Sequence, residues 1–109
     1  MIEWNDFVKV EIRAGTVLQA EKFPEAKRPA YKLTIDFGEF GVKRSSAQIT
    51  KLYSAEALIG RQVIAVVNFP PKQIANFFSE CLVLGIAQND GGVVLLSVDQ
   101  KVNNGSRIS

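Results

Sequence analysis

Val63-Ile64-Ala65-Val66-Val67, then Asn68-Phe69-Pro70-Pro71-Lys72, then Gln73-Ile74-Ala75-Asn76-Phe77-Phe78, then Ser79-Glu80 and Cys81-Leu82-Val83-Leu84-Gly85-Ile86: these residues, within 62–87, decide the fold. Both apolar runs are too short for a helix and rich in β-branched residues, so each predicts a buried strand. Pro70 and Pro71 donate no ladder hydrogen bond, and Pro70 pushes Phe69 away from helical angles, which ends the first strand. The connection between the runs reads as a short loop. It carries Phe69, Phe77 and Phe78 beside Asn68, Lys72, Ser79 and Glu80. Apolar rings among polar groups on a loop suit a binding surface held by a rigid scaffold. They equally suit a plug for the end of a barrel.

Working outward, Trp4 to Val8 predicts one helical turn with Asn5 or Asp6 near its start, and Trp4, Phe7 and Val8 laid as a lid. Val10 to Ala20 alternates as a long first strand, with Ile12, Ala14, Thr16 and Leu18 on one face. Gly15 in its middle predicts a bend or bulge. A loop over residues 21–30 carries two prolines and the basic pair Lys27-Arg28. Tyr31, Leu33, Ile35 and Phe37 then face inward while Lys32, Thr34 and Asp36 face out. Gly38-Glu39-Phe40-Gly41 has hairpin length, so Val42 to Ser46 pairs antiparallel with that strand. The outer face of the hairpin displays Lys32 with either Lys43 or Arg44.

Ala47 to Gly60 is a helical interruption. Ser46 is expected to cap a turn from Ala47 to Leu52, and Ser54 a second from Ala55 to Ile59, with Gly60 as its stop. Asp90-Gly91-Gly92 turns the chain into Val93-Val94-Leu95-Leu96-Ser97. Asn103-Asn104-Gly105 is a further turn before a short edge strand. The expected class is all-β: an OB-fold, a five-stranded Greek-key barrel with a short helix between strands 3 and 4 and extra C-terminal strands. At 109 residues, 1–109 is expected to form a single domain.

Composition excludes more than it suggests. A net charge of +2 leaves any electrostatic argument to local clusters. Cys81 is the only cysteine, so no internal disulfide forms, and its apolar neighbours predict a buried, inert thiol. The chain has no histidine, which removes the commonest general base and, with one cysteine, the usual zinc sets. No phosphate loop appears. Nothing favours an enzyme, a metal or a cofactor. The acidic start, Met1 to Asp6, lacks the apolar region of a signal peptide, and no apolar run approaches membrane-spanning length. A cytoplasmic protein without membrane insertion is expected.

The strands at 63–67, 82–86 and 93–96 are apolar at nearly every position, so their outer faces are expected to be apolar too. An exposed apolar patch of that size marks an interface. Burying one such valine or leucine contributes roughly 1.5–3 kcal/mol, enough in sum for a homodimer.

Ile12-Arg13-Ala14-Gly15-Thr16-Val17, Phe23-Pro24-Glu25-Ala26 and Lys32-Leu33-Thr34-Ile35-Asp36-Phe37-Gly38 resemble the opening of the tRNA-binding OB domain appended to bacterial methionyl-tRNA synthetases. Asn68-Phe69-Pro70-Pro71-Lys72 and Ser79-Glu80 are similar to a second segment of that domain. Coverage runs from about Ile12 to Arg107. Synthetase-appended domains typically have Ser-Gly-Ile/Leu where this chain has Ser45-Ser46-Ala47-Gln48-Ile49-Thr50, and leucine where it has Phe69. The present versions resemble the stand-alone CsaA family of dimeric chaperones linked to protein export.

That resemblance implies two competing functions. In one, an ATP-independent chaperone offers apolar pockets to unfolded or preprotein segments, using Asn68, Phe69, Lys72, Ile74, Phe77, Phe78 and Ser79. Partners would then include the export machinery. In the other, a basic face binds tRNA through Lys32, Lys43, Arg44, Lys72 and Ser79, with a ring such as Phe69 stacking on a base.

Overall fold

Strand β1 (Ile12–Lys22) is the spine on which the other strands assemble in the computed structural model, which describes residues 1–109. It pairs antiparallel with β2 (Tyr31–Asp36) and with β4 (Gln62–Val66). β2 pairs with β3 (Val42–Ala47), and β4 with β7 (Leu82–Val83), giving the order β3-β2-β1-β4-β7. The two ends of this sheet curl together. Glu80 N donates to Arg44 O at 2.7 Å and Ser45 Oγ to Cys81 O at 2.9 Å, so the antiparallel barrel is nearly closed.

Alternation along β2 holds as expected: Tyr31, Leu33, Ile35 and Phe37 are all buried. They form the main core with Val17, Leu58, Val63, Ala65 and Leu95. Each fully buried side chain of this size contributes roughly 1.5–3 kcal/mol.

Gly15 departs from expectation. The register slip in β1 falls between Val17 and Gln19, at Leu18, and not at the glycine. A Cβ on Gly15 would lie 2.7 Å from Ile35 Cγ2 and 2.7 Å from the Phe37 ring. The residue is glycine because the inward face of β1 must let the β2 side chains close against it. The bulge then carries Val17 inward and leaves Leu18 exposed.

The helical interruption shrinks to one turn. Ala47 completes β3, so no helix runs from Ala47 to Leu52; the backbone there is committed to the ladder with Tyr31. The second turn forms as expected: α2 (Ala55–Leu58) is capped by Ser54, whose hydroxyl accepts from Ala57 N at 3.2 Å, and Gly60 follows at φ 87°. The N-terminal turn α1 (Trp4–Val8) also forms. Its cap is Glu3, whose N–H donates to Asp6 at 2.9 Å; Asn5 and Asp6, expected near the start, lie within the first turn.

The second apolar run divides. Leu82–Val83 stays in the barrel, while β8 (Gly85–Ala87) leaves it to pair with β9 (Val93–Leu95). Leu84 joins the two, its N–H donating to Ile64 O and its carbonyl accepting from Leu96 N. At the end of the chain Gly105 and Ser106 bond to both sides of Ala14, and Arg107 forms a single bridge with Arg13. That bridge stands where a short edge strand was expected.

The outer apolar faces behave unequally. β4 is buried on both sides, Ile64 and Val66 included, so it exposes nothing. Leu82, Ile86, Val94 and Leu96 are exposed as expected, and Ile2 is exposed too. Trp4 and Val8, expected as part of a lid, are exposed, and no residue of α1 is buried. No helix is long and apolar enough to cross a membrane.

Candidate functional site: a pocket and a groove beside the 72–79 hairpin

The segment expected to be a loop is a hairpin. β5 (Lys72–Ile74) and β6 (Phe77–Ser79) pair antiparallel around Ala75, which takes a left-handed φ of 54°. The two prolines before Lys72 start a new direction, and the tight turn sends the chain back toward β7. Register places Lys72 across from Ser79, Gln73 from Phe78 and Ile74 from Phe77. Strand alternation then puts Phe77 and Phe78 on opposite faces.

This separates rings that were expected to act together. Phe77 is 4% exposed and packs with Phe23 and Ala30, with Ala26 and Ile74 alongside. Its ring meets that of Phe23 edge-on at 5.3 Å. Phe77 therefore plugs a second small core and lines neither cavity beside the hairpin, while the half-buried Ile74 packs beside it and also borders a groove. Phe69 and Phe78 are each 55% exposed. Phe77 is thus the plug, and Phe69 and Phe78 are the rings left at the surface.

Asn68 is also committed to structure. Its side chain accepts from Glu11 N at 3.0 Å and donates to Lys9 O at 2.7 Å, which ties the segment after α1 to the end of β4. Ser79 Oγ accepts from Ser46 N at 3.0 Å. Lys72 has no such commitment.

Two cavities flank the hairpin. The first, of about 240 Å³, is an apolar pocket bounded by Phe69, Pro70, Lys72, Ser79, Cys81 and Leu82. Cys81 is free and buried at its floor. Burial pushes its thiol up to about 11; Ser45 opposes that shift, Glu80 adds to it and Lys43 offsets it. The burial expected of this thiol is what the structure contains.

The second, of about 580 Å³, is a groove of mixed polarity between the 25–30 loop and the hairpin. Lys27, Arg28 and Lys72 supply its cations and Glu25 its carboxylate, with Gln48 and Gln73 beside them. Lys72 borders both cavities. That Pro70 and Leu82 border the pocket, and Lys27 and Arg28 the groove, was not read from the sequence. The basic pair is visible there, but only the fold brings it to the hairpin.

The remaining basic residues divide by register. Lys32 and Arg44 share the outer face of β2 and β3 with Thr34 and Ser46. Lys32 Nζ stands 5.4 Å from the Phe23 ring centre, and the Arg44 guanidinium 4.5 Å from that of Phe77. Arg44 also lies 3.6 Å from Glu21. Lys43 sits across from Ile35, on the opposite face from Arg44. Of the two alternatives left by the sequence, Arg44 is the one that joins Lys32.

Residues 12–107 match the family described as a tRNA binding domain. Among curated relatives, methionine–tRNA ligase from Bacteroides fragilis is 33% identical over 107 residues, covering 98% of this chain and 16% of the ligase. The same enzyme from Caldanaerobacter subterraneus is 36% identical over 105 residues, covering 96% and 16%. The chain thus spans about one sixth of the length of these relatives. Among solved structures, chaperone CsaA from Bacillus anthracis is 55% identical with a TM-score of 0.95, covering 100% of this chain and 99% of that one. The CsaA chaperone protein from Picrophilus torridus is 54% identical with a TM-score of 0.94 and full coverage of both. A methionyl-tRNA synthetase-related protein from Pyrococcus horikoshii is 29% identical with a TM-score of 0.88, covering 100% and 98%.

Proposed function

Because the chain belongs to the tRNA-binding domain family and, within it, to the CsaA group, we propose that it is a chaperone that holds unfolded or preprotein segments without ATP and hands them to the export machinery. The observation that carries this reading is the apolar pocket under Phe69 and Leu82, continuous with exposed ring surface and bounded by one unpaired lysine. Such a pocket removes an apolar client side chain from water at roughly 25 cal/mol per Å², while its rim leaves the client's backbone solvated. Phe69, Lys72 and Ser79 are the contact residues we assign, with Phe78 on the neighbouring face. Pro70 and Leu82 complete the wall. The protein acts as a homodimer in this proposal, joined through Trp4, Phe7 and exposed apolar residues of the C-terminal hairpin. It catalyses no reaction.

A second reading has its own support. Lys27, Arg28 and Lys72 line one groove, with Lys32 and Arg44 on the sheet near its second core. A tRNA backbone would satisfy these cations, Ser79 would donate to a phosphate, and Phe69 would stack on a base. Lys43, on the other face, belongs to that surface less well than Arg44 does.

Salt and substitution separate the two readings. Capture of a chemically unfolded test protein, followed by suppression of light scattering, should weaken far less with salt than tRNA binding does. Phe69→Ser with Leu82→Ser should abolish it in a folded protein. tRNA binding should weaken steeply with salt and with Lys72→Gln plus Arg28→Gln. The chaperone reading fails if the Phe69/Leu82 variant suppresses aggregation as well as the parent does.

A further inference from the structure

Strand β5 is paired along one edge only. β6 takes that edge, and the backbone of Lys72, Gln73 and Ile74 makes no other hydrogen bond within the protein. In an antiparallel pair, successive residues alternate between bonding the partner and presenting N–H and C=O outward. The tight turn makes Ile74 and Phe77 a bonded pair, so Gln73 is the residue of β5 that turns its N–H and C=O to the open edge, where an incoming strand can take both. Pro70 and Pro71 cannot extend the row of donors backward, and the left-handed turn at Ala75 ends it forward. The edge is three residues long, about 10 Å of extended chain.

Its charge surroundings are one-sided. β5 forms a wall of the groove that holds Lys27, Arg28 and Lys72 against the single acid Glu25. The ion pairs of the molecule join Arg13 to Glu11, Arg44 to Glu21 and Lys51 to Asp90, so none of these three cations is neutralised. At the other end of the edge, Lys72 also borders the apolar pocket. An open strand edge, a surplus of positive charge and an apolar pocket thus meet within three residues. An RNA would use the cations but leave the alternating donors and acceptors of the strand unmatched. An extended polypeptide with acidic side chains uses all three.

We infer that the clients are extended acidic segments that add to the sheet as a strand against β5. One apolar side chain enters the Phe69–Leu82 pocket, and carboxylates face Lys27 and Arg28. This rests on the peptide-holding reading and adds its mode: main-chain pairing supplies affinity with little sequence demand, and the groove supplies a preference for acid. Pairing over three residues gives weak, reversible capture, which suits a protein that must release its client.

The probe is a fluorescent heptapeptide with one leucine, alternating valines and two glutamates, followed by anisotropy on the full chain. Two versions carry N-methyl groups on alternate backbone nitrogens, one on the odd positions and one on the even. Only the set that faces β5 should matter, and losing the hydrogen bond to the Gln73 carbonyl should weaken binding several-fold, up to about tenfold. A peptide with lysine for glutamate should bind more weakly. Lys27→Gln with Arg28→Gln should shrink that difference to less than about twofold. Equal binding of both methylated peptides, or equal weakening of both, overturns strand addition. An undiminished preference for glutamate in the Lys27/Arg28 variant overturns the groove's role. If no peptide binds while unfolded protein is still held, this inference falls and the holding reading stands. If neither is bound, both fall.

Discussion

Replacing Phe77 by alanine should damage the fold, and replacing Phe78 should not, although the two rings are adjacent and alike in the sequence. Phe77 is 4% exposed and fills the second core with Phe23 and Ala30, its ring 5.3 Å from that of Phe23 and under the Arg44 guanidinium. Truncating a buried phenylalanine costs about 3–5 kcal/mol, and a cluster at the barrel's edge relaxes more easily than a deep core, so the expected loss is about 3 kcal/mol. For a domain near 100 residues, 1 kcal/mol moves the midpoint by about 4 °C, so Phe77→Ala should melt about 12 °C below the parent. Phe78 is 55% exposed, and Phe78→Ala should stay within about 2 °C, since exposed substitutions fall within about 0.5 kcal/mol. A circular dichroism melt of both variants decides the matter. If Phe77→Ala melts with the parent, or Phe78→Ala falls as far as Phe77→Ala, the division of the rings into plug and surface is wrong.

Gly15→Ala should lower stability by about 1–3 kcal/mol in a denaturant titration, because its Cβ would press on Ile35 and Phe37 at 2.7 Å; a neutral result would mean that β2 can move away. Cys81 should resist a thiol reagent in the folded protein at pH 8 and react at once in denaturant, and prompt native labelling would contradict its burial. Because folding raises its thiol from 9.0 to about 11, the stability it lends is complete below pH 9 and is lost as pH climbs through 11, by roughly 2–3 kcal/mol. Cys81→Ala should flatten that part of the stability profile. Sedimentation equilibrium at micromolar concentration should report twice the 12.0 kDa chain mass, and Trp4→Ser with Ile86→Ser should shift the protein toward monomer. A soluble monomer at high concentration would remove the proposed interface.

Much of the barrel was legible because strand alternation is local. The period of two across Tyr31 to Phe37 assigns its inner face without knowledge of any partner, and the packing of Leu33 and Ile35 confirms it. The Ser54 cap and the Gly60 stop are likewise written within a few residues of each other. The apolar neighbours of Cys81 announced its burial. The proline pair at 70–71 announced the end of β4 and placed the site beyond it.

What alternation does not carry is the identity of the partner strand. Phe77 and Phe78 must face opposite ways, but which of them is buried depends on Phe23 arriving from a distant loop. Lys43 and Arg44 must also face opposite ways, and the pairing of Thr34 with Arg44 puts the arginine beside Lys32. Gly15 looked like a bend because glycine has that local use, whereas here it answers to Ile35 and Phe37 across the sheet. Lys27 and Arg28 became part of a groove only when the hairpin closed against their loop. The sequence by itself determined the strands and the faces they alternate between. Tertiary structure alone decided which face met a core and which met solvent, because burial is a property of two surfaces in contact and each stretch of sequence describes one.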